Sequence, residues 1–530
     1  MTEAEAAPPR RRLLGDLDIP YVVETGVITF GGWCALLVVV TFAAYWYLGP
    51  QDTAYSYQVQ QANNIIHGHL DLVEEYTPTL GVLERVLYDG EGFCLPADDP
   101  RGREDIENPR ITDDCKTYMQ HSLGPAFIVL PGVLLFGVEL NQTLVSAVFG
   151  AMTAPLVFAI AGTLSQRRYV QLTMTALMLF GTTFWWVASN GGVWFFAHTT
   201  ATFFLFAAIY FTLVRPNTLM AGVCLGAAFM CRPTTIMTGL FFVIMFSHLW
   251  LRPAAPGQRL LDRIDFSPIT SFAAGLAPLL LATLTVNYLR FDNPLESGYN
   301  YSEQVHQDRF QELFKHGILD PRYITRHPPV ALEQMPLLDT PDTSCGEREC
   351  AWIRPSFFGT AIWATTPPFL LALVAGIWDR RIVWIGGGLV ALACAFLLSR
   401  AVADAFDSGW ANQNMPLGVH LLPFWAMIGV SILYAFRNSD RLVLACWAAI
   451  IPTALVIFSF AATGWAQFGY RYALDFTPFL WLLAAHVIGD RIRWYVWPLI
   501  IAAFAMSAMG VLWHYQFQPD HTWGWEWVTF

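Results

Sequence analysis

The first carboxylate after the first long apolar run is Asp52, in the stretch Gly49-Pro50-Gln51-Asp52-Thr53-Ala54-Tyr55. Residues 26–48 before it are apolar enough to cross a bilayer, and a long polar stretch follows. A carboxylate at such an edge is partly desolvated, so its charge is costly unless it is paired or used. Used, it is a base that can take a proton from a hydroxyl. Downstream, Tyr55, Ala62, Ile65 and Ile66 recur at helical spacing, and Gly68 ends the pattern. The expected helix is amphipathic and superficial. Asp52 falls at or near its start, where it could instead act as a cap.

Other polar groups stand near the ends of apolar runs. Arg232 and Arg471 are two, the second flanked by Tyr470 and Tyr472. A guanidinium there can hold a phosphate through paired hydrogen bonds, or snorkel to headgroups. His198, beside Trp194, Phe195 and Phe196, either positions a substrate or bonds within the bundle. Lys116 and His121 adjoin a short apolar stretch and could reach the same anion. His67, His69 and Asp71 resemble a metal cluster, but Gly68 interrupts the shared face and a solvated loop end reads better. No cofactor is firmly implied, and a divalent metal stays open.

The elements that hold these residues are apolar helices. The 530-residue chain is 55% hydrophobic and 13% charged, about half the charged fraction of a soluble protein. Basic residues in short loops mark the cytoplasmic face. Arg10 to Arg12, Arg167-Arg168, Arg215, Arg252 to Arg263, Arg380-Arg381, Arg437 with Arg441, and Arg491 with Arg493 fit one face. Spans near 27–48, 144–164, 170–189, 193–213, 217–231, 234–250, 267–289, 357–377, 382–399, 420–436, 441–461, 473–489 and 494–513 satisfy that rule. The expected fold is all-α and polytopic, with about thirteen transmembrane helices. A cytoplasmic tail, 1–26, precedes the membrane domain 27–513, and an extracytoplasmic tail, 514–530, follows it. The stretch 124–137 is short, carries two prolines and reads as interfacial or re-entrant.

Two long loops, 50–143 and 290–356, fall on the extracytoplasmic side. Cys94 and Cys115 share the first, and Cys345 and Cys350 the second. Pairing within each loop is the simplest reading on an oxidising face, with cross-pairing open. Cys34, Cys224, Cys231, Cys394 and Cys446 lie in or beside spans and read as packing residues. The net charge of −11 and the lack of a basic, aromatic-laced patch argue against a nucleic-acid partner.

Several stretches together resemble the GT-C membrane glycosyltransferases, among them the protein O-mannosyltransferases and lipid A aminoarabinose transferases. Asp52-Thr53-x-Tyr55…Ala62…Ile65…Gly68-x-Leu70 is similar to that family's first-loop motif. Tyr118…His121-Ser122-Leu123-Gly124-Pro125 resembles the stretch leading to its second span. The run from Gly222 to Arg232-Pro233, the segment Asn287 to Tyr299, and Tyr470-Arg471-Tyr472…Pro478 resemble later motifs in the same order. The chain departs from the family where Thr53 replaces a frequent glutamate and His198 a common aspartate.

The resemblance implies a GT-C-like bundle, expected in a bacterial plasma membrane, and the basic loops put the N-terminus on the cytoplasmic and the C-terminus on the extracytoplasmic side. It implies inverting transfer of a sugar from a polyprenyl-phosphate donor to a protein, lipid or glycan hydroxyl, among membrane lipids. Asp52 would be the base. Arg471, Arg232, Lys116 and His121 would hold the donor phosphate, and His198, Tyr55, Tyr472 and Glu296 would position donor or acceptor. A secondary transporter, or a non-catalytic subunit of a glycan assembly or export system, is the alternative. No internal repeat favours the transporter.

Overall fold

The computed structural model describes residues 29–52, 56–77, 85–97, 106, 109–251, 263–338, 344–345, 348–349, 353–356, 358–405 and 419–517. Tyr55, Cys350, residues 1–26 and the end of the C-terminal tail lie outside them.

Short polar side chains start the apolar helices. Thr29 accepts the Gly32 N–H ahead of α1 (Phe30–Leu48). Asn141 accepts that of Leu144 ahead of α4 (Gln142–Leu164), and Asn217 that of Met220 ahead of α8 (Thr218–Cys231). These caps satisfy backbone donors that helix geometry leaves open. Between α1 and α4 lie α2 (Tyr57–Ile66), the paired strands β1 (Arg85–Tyr88) and β2 (Lys116–Met119), and α3 (Gly124–Phe136). After α4 come α5 (Arg168–Phe180), α6 (Thr183–Ala188) and α7 (Val193–Leu213). After α8 follow α9 (Gly239–Met245), α10 (Ser247–Trp250) and α11 (Phe266–Phe291).

The second long segment holds α12 (Glu303–His306) and the two-residue strands β3 (Leu337–Leu338), β4 (Ser344–Cys345), β5 (Arg348–Glu349) and β6 (Ile353–Arg354). The chain then continues through α13 (Ile362–Thr365), α14 (Arg380–Ala405), α15 (Leu422–Arg437), α16 (Arg441–Phe458), α17 (Thr477–Ile488) and α18 (Trp497–Leu512).

Among the described residues, eight helical stretches are long and apolar enough to cross a membrane, as an integral membrane protein requires. The other spans of the expected thirteen fall on shorter or broken pieces. α5 gives way to α6 across Gly181 and Thr182. Pro233 ends α8 and opens a 3-10 stretch, Pro233–Thr238, before α9. Pro367–Val374 is 3-10 as well, and α17 has 12 residues. α7 is central, with 78% of its span buried, whereas α1 and α11 show 11% and 6% and leave apolar faces bare.

α2 is not the superficial helix expected. It begins at Tyr57 after Ser56, so Asp52 does not cap it, and Gln58, Val59, Gln61, Ala62 and Asn64 are buried. Its amides explain this. Asn64 Nδ2 donates to Thr77 Oγ1 at 2.8 Å and its Oδ1 accepts the Val73 N–H at 2.9 Å, so the following chain folds over it. β1 pairs antiparallel with β2, and Cys94 and Cys115 form a disulfide beside them. Cys345 lies in β4, and its expected partner Cys350 is outside the described residues. The five span cysteines are free thiols. The two long segments are joined by a buried ion pair, Arg85 Nη2 to Glu303 Oε2 at 2.9 Å.

Glycines let α8 and α11 meet at backbone distance. A Cβ at Gly222 would clash with the Phe272 carbonyl oxygen, and one at Gly275 with that of Leu219. Small residues allow this approach between apolar helices. Gly222→Val is expected to cost about 1–3 kcal/mol by overpacking, seen as a lower melting temperature in detergent. Gly239→Ala, whose new Cβ meets only Leu225 at 3.5 Å, should stay near wild type.

Candidate functional site

The first turns of α7, the last turns of α8, α11 and α16, and the start of α3 surround a cavity of about 640 Å³. These ends meet because α8 packs against α7, against α11 and against the 3-10 stretch that follows it. The second long segment closes one side with Glu296, Tyr299, Asn300 and Gly317 to Leu319. Phe127, Phe229, Met237, Leu284 and Val286 supply apolar wall. Arg232, Arg290 and Arg471 supply positive charge.

Each arginine is held differently. Arg232, immediately after α8, donates from Nε to Asp475 Oδ1 at 2.6 Å and from Nη2 to Oδ2 at 3.0 Å. Thr234 Oγ1 donates to the same Oδ2. Asp475 lies just before α17 and is 1% exposed, so this two-point pairing is what makes a buried carboxylate tolerable. Arg471 donates from Nη1 to the Trp465 carbonyl at 3.2 Å, with its guanidinium 5.4 Å from the ring centres of Phe195 and Tyr472. Arg290, in the last turn of α11, donates from Nη2 to the Met119 carbonyl at 2.6 Å and lies over Tyr118 and Phe291. Among the described residues Arg290 has no carboxylate partner.

Of the residues chosen from sequence, His121, His198, Arg232, Glu296, Arg471 and Tyr472 line this cavity. Tyr472 sits beneath Arg232 at 5.7 Å, and its ring centre is 6.0 Å from that of His198. Glu296 accepts the Gly298 N–H at 2.7 Å and the Asn300 amide at 2.8 Å. Lys116 does not reach the cavity, since it is exposed on β2 at the far end of the hairpin from Met119. Tyr55 lies outside the described residues. His67 stacks on Tyr76 at 4.1 Å, and only His69 approaches Asp71, at 3.6 Å. Among the described residues no three His, Cys, Asp or Glu side chains converge as metal ligands.

Asp52 is exposed and does not line the cavity, though it stands at the same end of the bundle. Thr143 Oγ1 donates to its carbonyl at 3.1 Å and accepts the Gly191 N–H at 3.1 Å. Gly191 and Gly192 lead directly into α7, whose Trp194 and His198 do line the cavity. Asp475 and Arg290 were not singled out from sequence. Their signal was a charge within or against an apolar run, the same signal that pointed to Asp52.

The second long segment is pinned to the wall of the site by His327. Its Nε2 donates to the Phe460 carbonyl at 2.7 Å, and Tyr470 Oη donates to Nδ1 at 2.6 Å. Burial pulls the imidazole down to about 4, the Phe460 bond works against that, and the Arg326 charge adds to it.

Comparison with protein-family models gives no match, and comparison with curated proteins gives none. A solved structure similar to this chain is the Archaeoglobus fulgidus oligosaccharyltransferase tethered to an acceptor peptide containing the NVT sequon. The identity is 13% and the TM-score 0.39, over 90% of this chain and 55% of that one. The chain thus spans about half the length of that protein.

Two outcomes follow from the geometry. Asp475→Leu or Arg232→Met alone strands a buried charge and should cost about 3–5 kcal/mol, whereas the double variant should recover most of the loss in a thermal melt. For His327, the folded value lies below the ordinary 6.5, so the unfolded chain binds more protons between them. The His327 contribution to stability should be flat above pH 6.5, fall by up to roughly 3 kcal/mol toward pH 4, and level off below. His327→Gln should flatten that slope in melts across the range.

Proposed function

We propose that this chain is a membrane glycosyltransferase of the GT-C kind, moving a sugar from a polyprenyl-phosphate donor to an acceptor hydroxyl on the extracytoplasmic face. The observation that carries the reading is the pairing, in one cavity, of three arginines with a wall of phenylalanine, methionine, leucine and valine. A lipid phosphate needs both surfaces at once. The prenyl chain gains from apolar contact, and the phosphate from guanidinium donors fixed by Trp465, Met119 and Asp475. The ordered motifs from Asp52 to Pro478 support the same reading.

In the proposed reaction the acceptor oxygen attacks the anomeric carbon from the face opposite the phosphate. The carbon–oxygen bond to phosphate breaks, its electron pair stays on the phosphate, and the anomeric configuration inverts. The acceptor proton passes to a carboxylate. Fixed guanidinium groups stabilise the charge that grows on the departing phosphate, with no reorganisation at the moment of reaction. Asp52 is the proposed base, reached by an acceptor bound across the turn that precedes α7. Glu296 is the second candidate, because it lines the cavity itself.

The test is transfer from a labelled polyprenyl-phosphate sugar in reconstituted membranes. Asp52→Asn should lower turnover by about 10²–10⁴ with donor binding unchanged. Loss in Glu296→Gln with Asp52→Asn at the wild-type rate would move the base to Glu296. No transfer by wild type from any such donor would end the enzyme reading.

A further inference from the structure

His198 lies beside Asp475 and the Arg232 it holds, and phosphate binding does not explain the histidine. His198 is 1% exposed, sits in the second turn of α7 and contributes to the cavity wall. Its Nδ1 is 3.5 Å from Asp475 Oδ1, an electrostatic contact at the outer limit of a hydrogen bond. Among the described residues neither ring nitrogen makes a hydrogen bond, and Nε2 has no charged group as near to it as Asp475 is to Nδ1. An unpartnered polar atom this deeply buried is costly, which points to a partner that arrives from the cavity.

Asp475 decides what that partner can be. An ionised carboxylate only accepts hydrogen bonds, so the imidazole nitrogen turned toward it is the one that carries the proton. Asp475 is kept ionised and in place by Arg232 and Thr234, so the imidazole need not be a cation to balance it. The other nitrogen, Nε2, then presents a lone pair. A lone pair repels the oxygens of a phosphate diester, which carry no proton, and accepts from a hydroxyl. The tyrosine ring of Tyr472, 6.0 Å from the imidazole and 5.7 Å from the Arg232 guanidinium, lies against both groups.

We infer that His198, positioned by Asp475, accepts a hydrogen bond from a hydroxyl of the donor sugar, next to the arginine-held phosphate. The inference rests on the polyprenyl-phosphate reading and names the group that tells a loaded donor from a spent one. Arginine contacts are common to both lipids, whereas the sugar-hydroxyl contact to His198 is made by the loaded donor alone. Asp475 is then a positioning residue, and His198 a specificity-determining one.

The test compares binding of undecaprenyl phosphate with that of undecaprenyl-phosphate-linked hexoses to the full chain in nanodiscs, without acceptor. Wild type should prefer at least one sugar-bearing lipid. His198→Leu should lose about fivefold to tenfold of that preference while holding the bare lipid within twofold, and His198→Gln should keep part of it. Asp475→Asn should weaken the preference and the bare lipid together, because it also releases Arg232. If either folded His198 variant keeps the full wild-type preference, the inference is wrong. Equal loss for both lipids would make His198 structural or phosphate-binding, and overturn it. Loss seen only in turnover with acceptor would assign the hydroxyl to the acceptor and overturn it too. A wild type that binds neither lipid would remove the underlying reading itself.

Discussion

The ion pair between Arg232 and Asp475 joins two parts of the chain that are 243 residues apart in sequence. One partner closes α8, and the other opens the run into α17. Neither charge could sit at the end of an apolar bundle alone, because desolvation would exceed any benefit. Paired, they draw the end of α8, the 3-10 stretch after it, α7 and the 471–475 turn onto one point. The cavity is the space left above that point. Of its arginines, Arg232 takes its position from this carboxylate, and His198 and Tyr472 lie beside the pair.

A second constraint acts on the polar segments. Among the described residues their apolar clusters are small beside that of the bundle, and specific links add cohesion. The disulfide holds 94 to 115, Arg85 reaches Glu303, and the amides of α2 bond the chain that covers it. The second segment is fastened to the bundle by His327 and by the Ala461 N–H on the Ile318 carbonyl. Those fastenings place Gly317 to Leu319 and Phe460 in the cavity wall. Thus a loop that looks peripheral by sequence position is part of the site.

What could be read from sequence followed from how local each signal is. Long apolar runs such as 142–164 and 193–213 reveal themselves by composition, because a span is fixed by length and hydropathy. Helices interrupted at Pro233 or wound as 3-10 at 367–374 do not, because tertiary packing decides their form. Arg232, Arg471 and His198 were visible as charges or imidazoles at span ends. Asp475 carries the same local signal, but its meaning depends on a partner far along the chain. α2 was misplaced for a related reason. Its asparagines look solvent-facing until the residues that bond them are seen.

Asp52 and Asp475 show why a charge near an apolar run is only half an argument. The sequence places both beside such runs. The structure leaves Asp52 exposed at a turn, with its carbonyl bonded to Thr143, and buries Asp475 under two hydrogen bonds from Arg232. A base must exchange a proton with a substrate, and so it needs an accessible, unneutralised carboxylate. Asp475 is locked into an ion pair and can act only through the groups it orients. Asp52 is accessible, and the turn that carries it is tied through Thr143 and Gly191 to the start of α7. The difference between a carboxylate free to exchange a proton and one fixed in an ion pair therefore follows from burial and pairing, and not from the residue type that the two share.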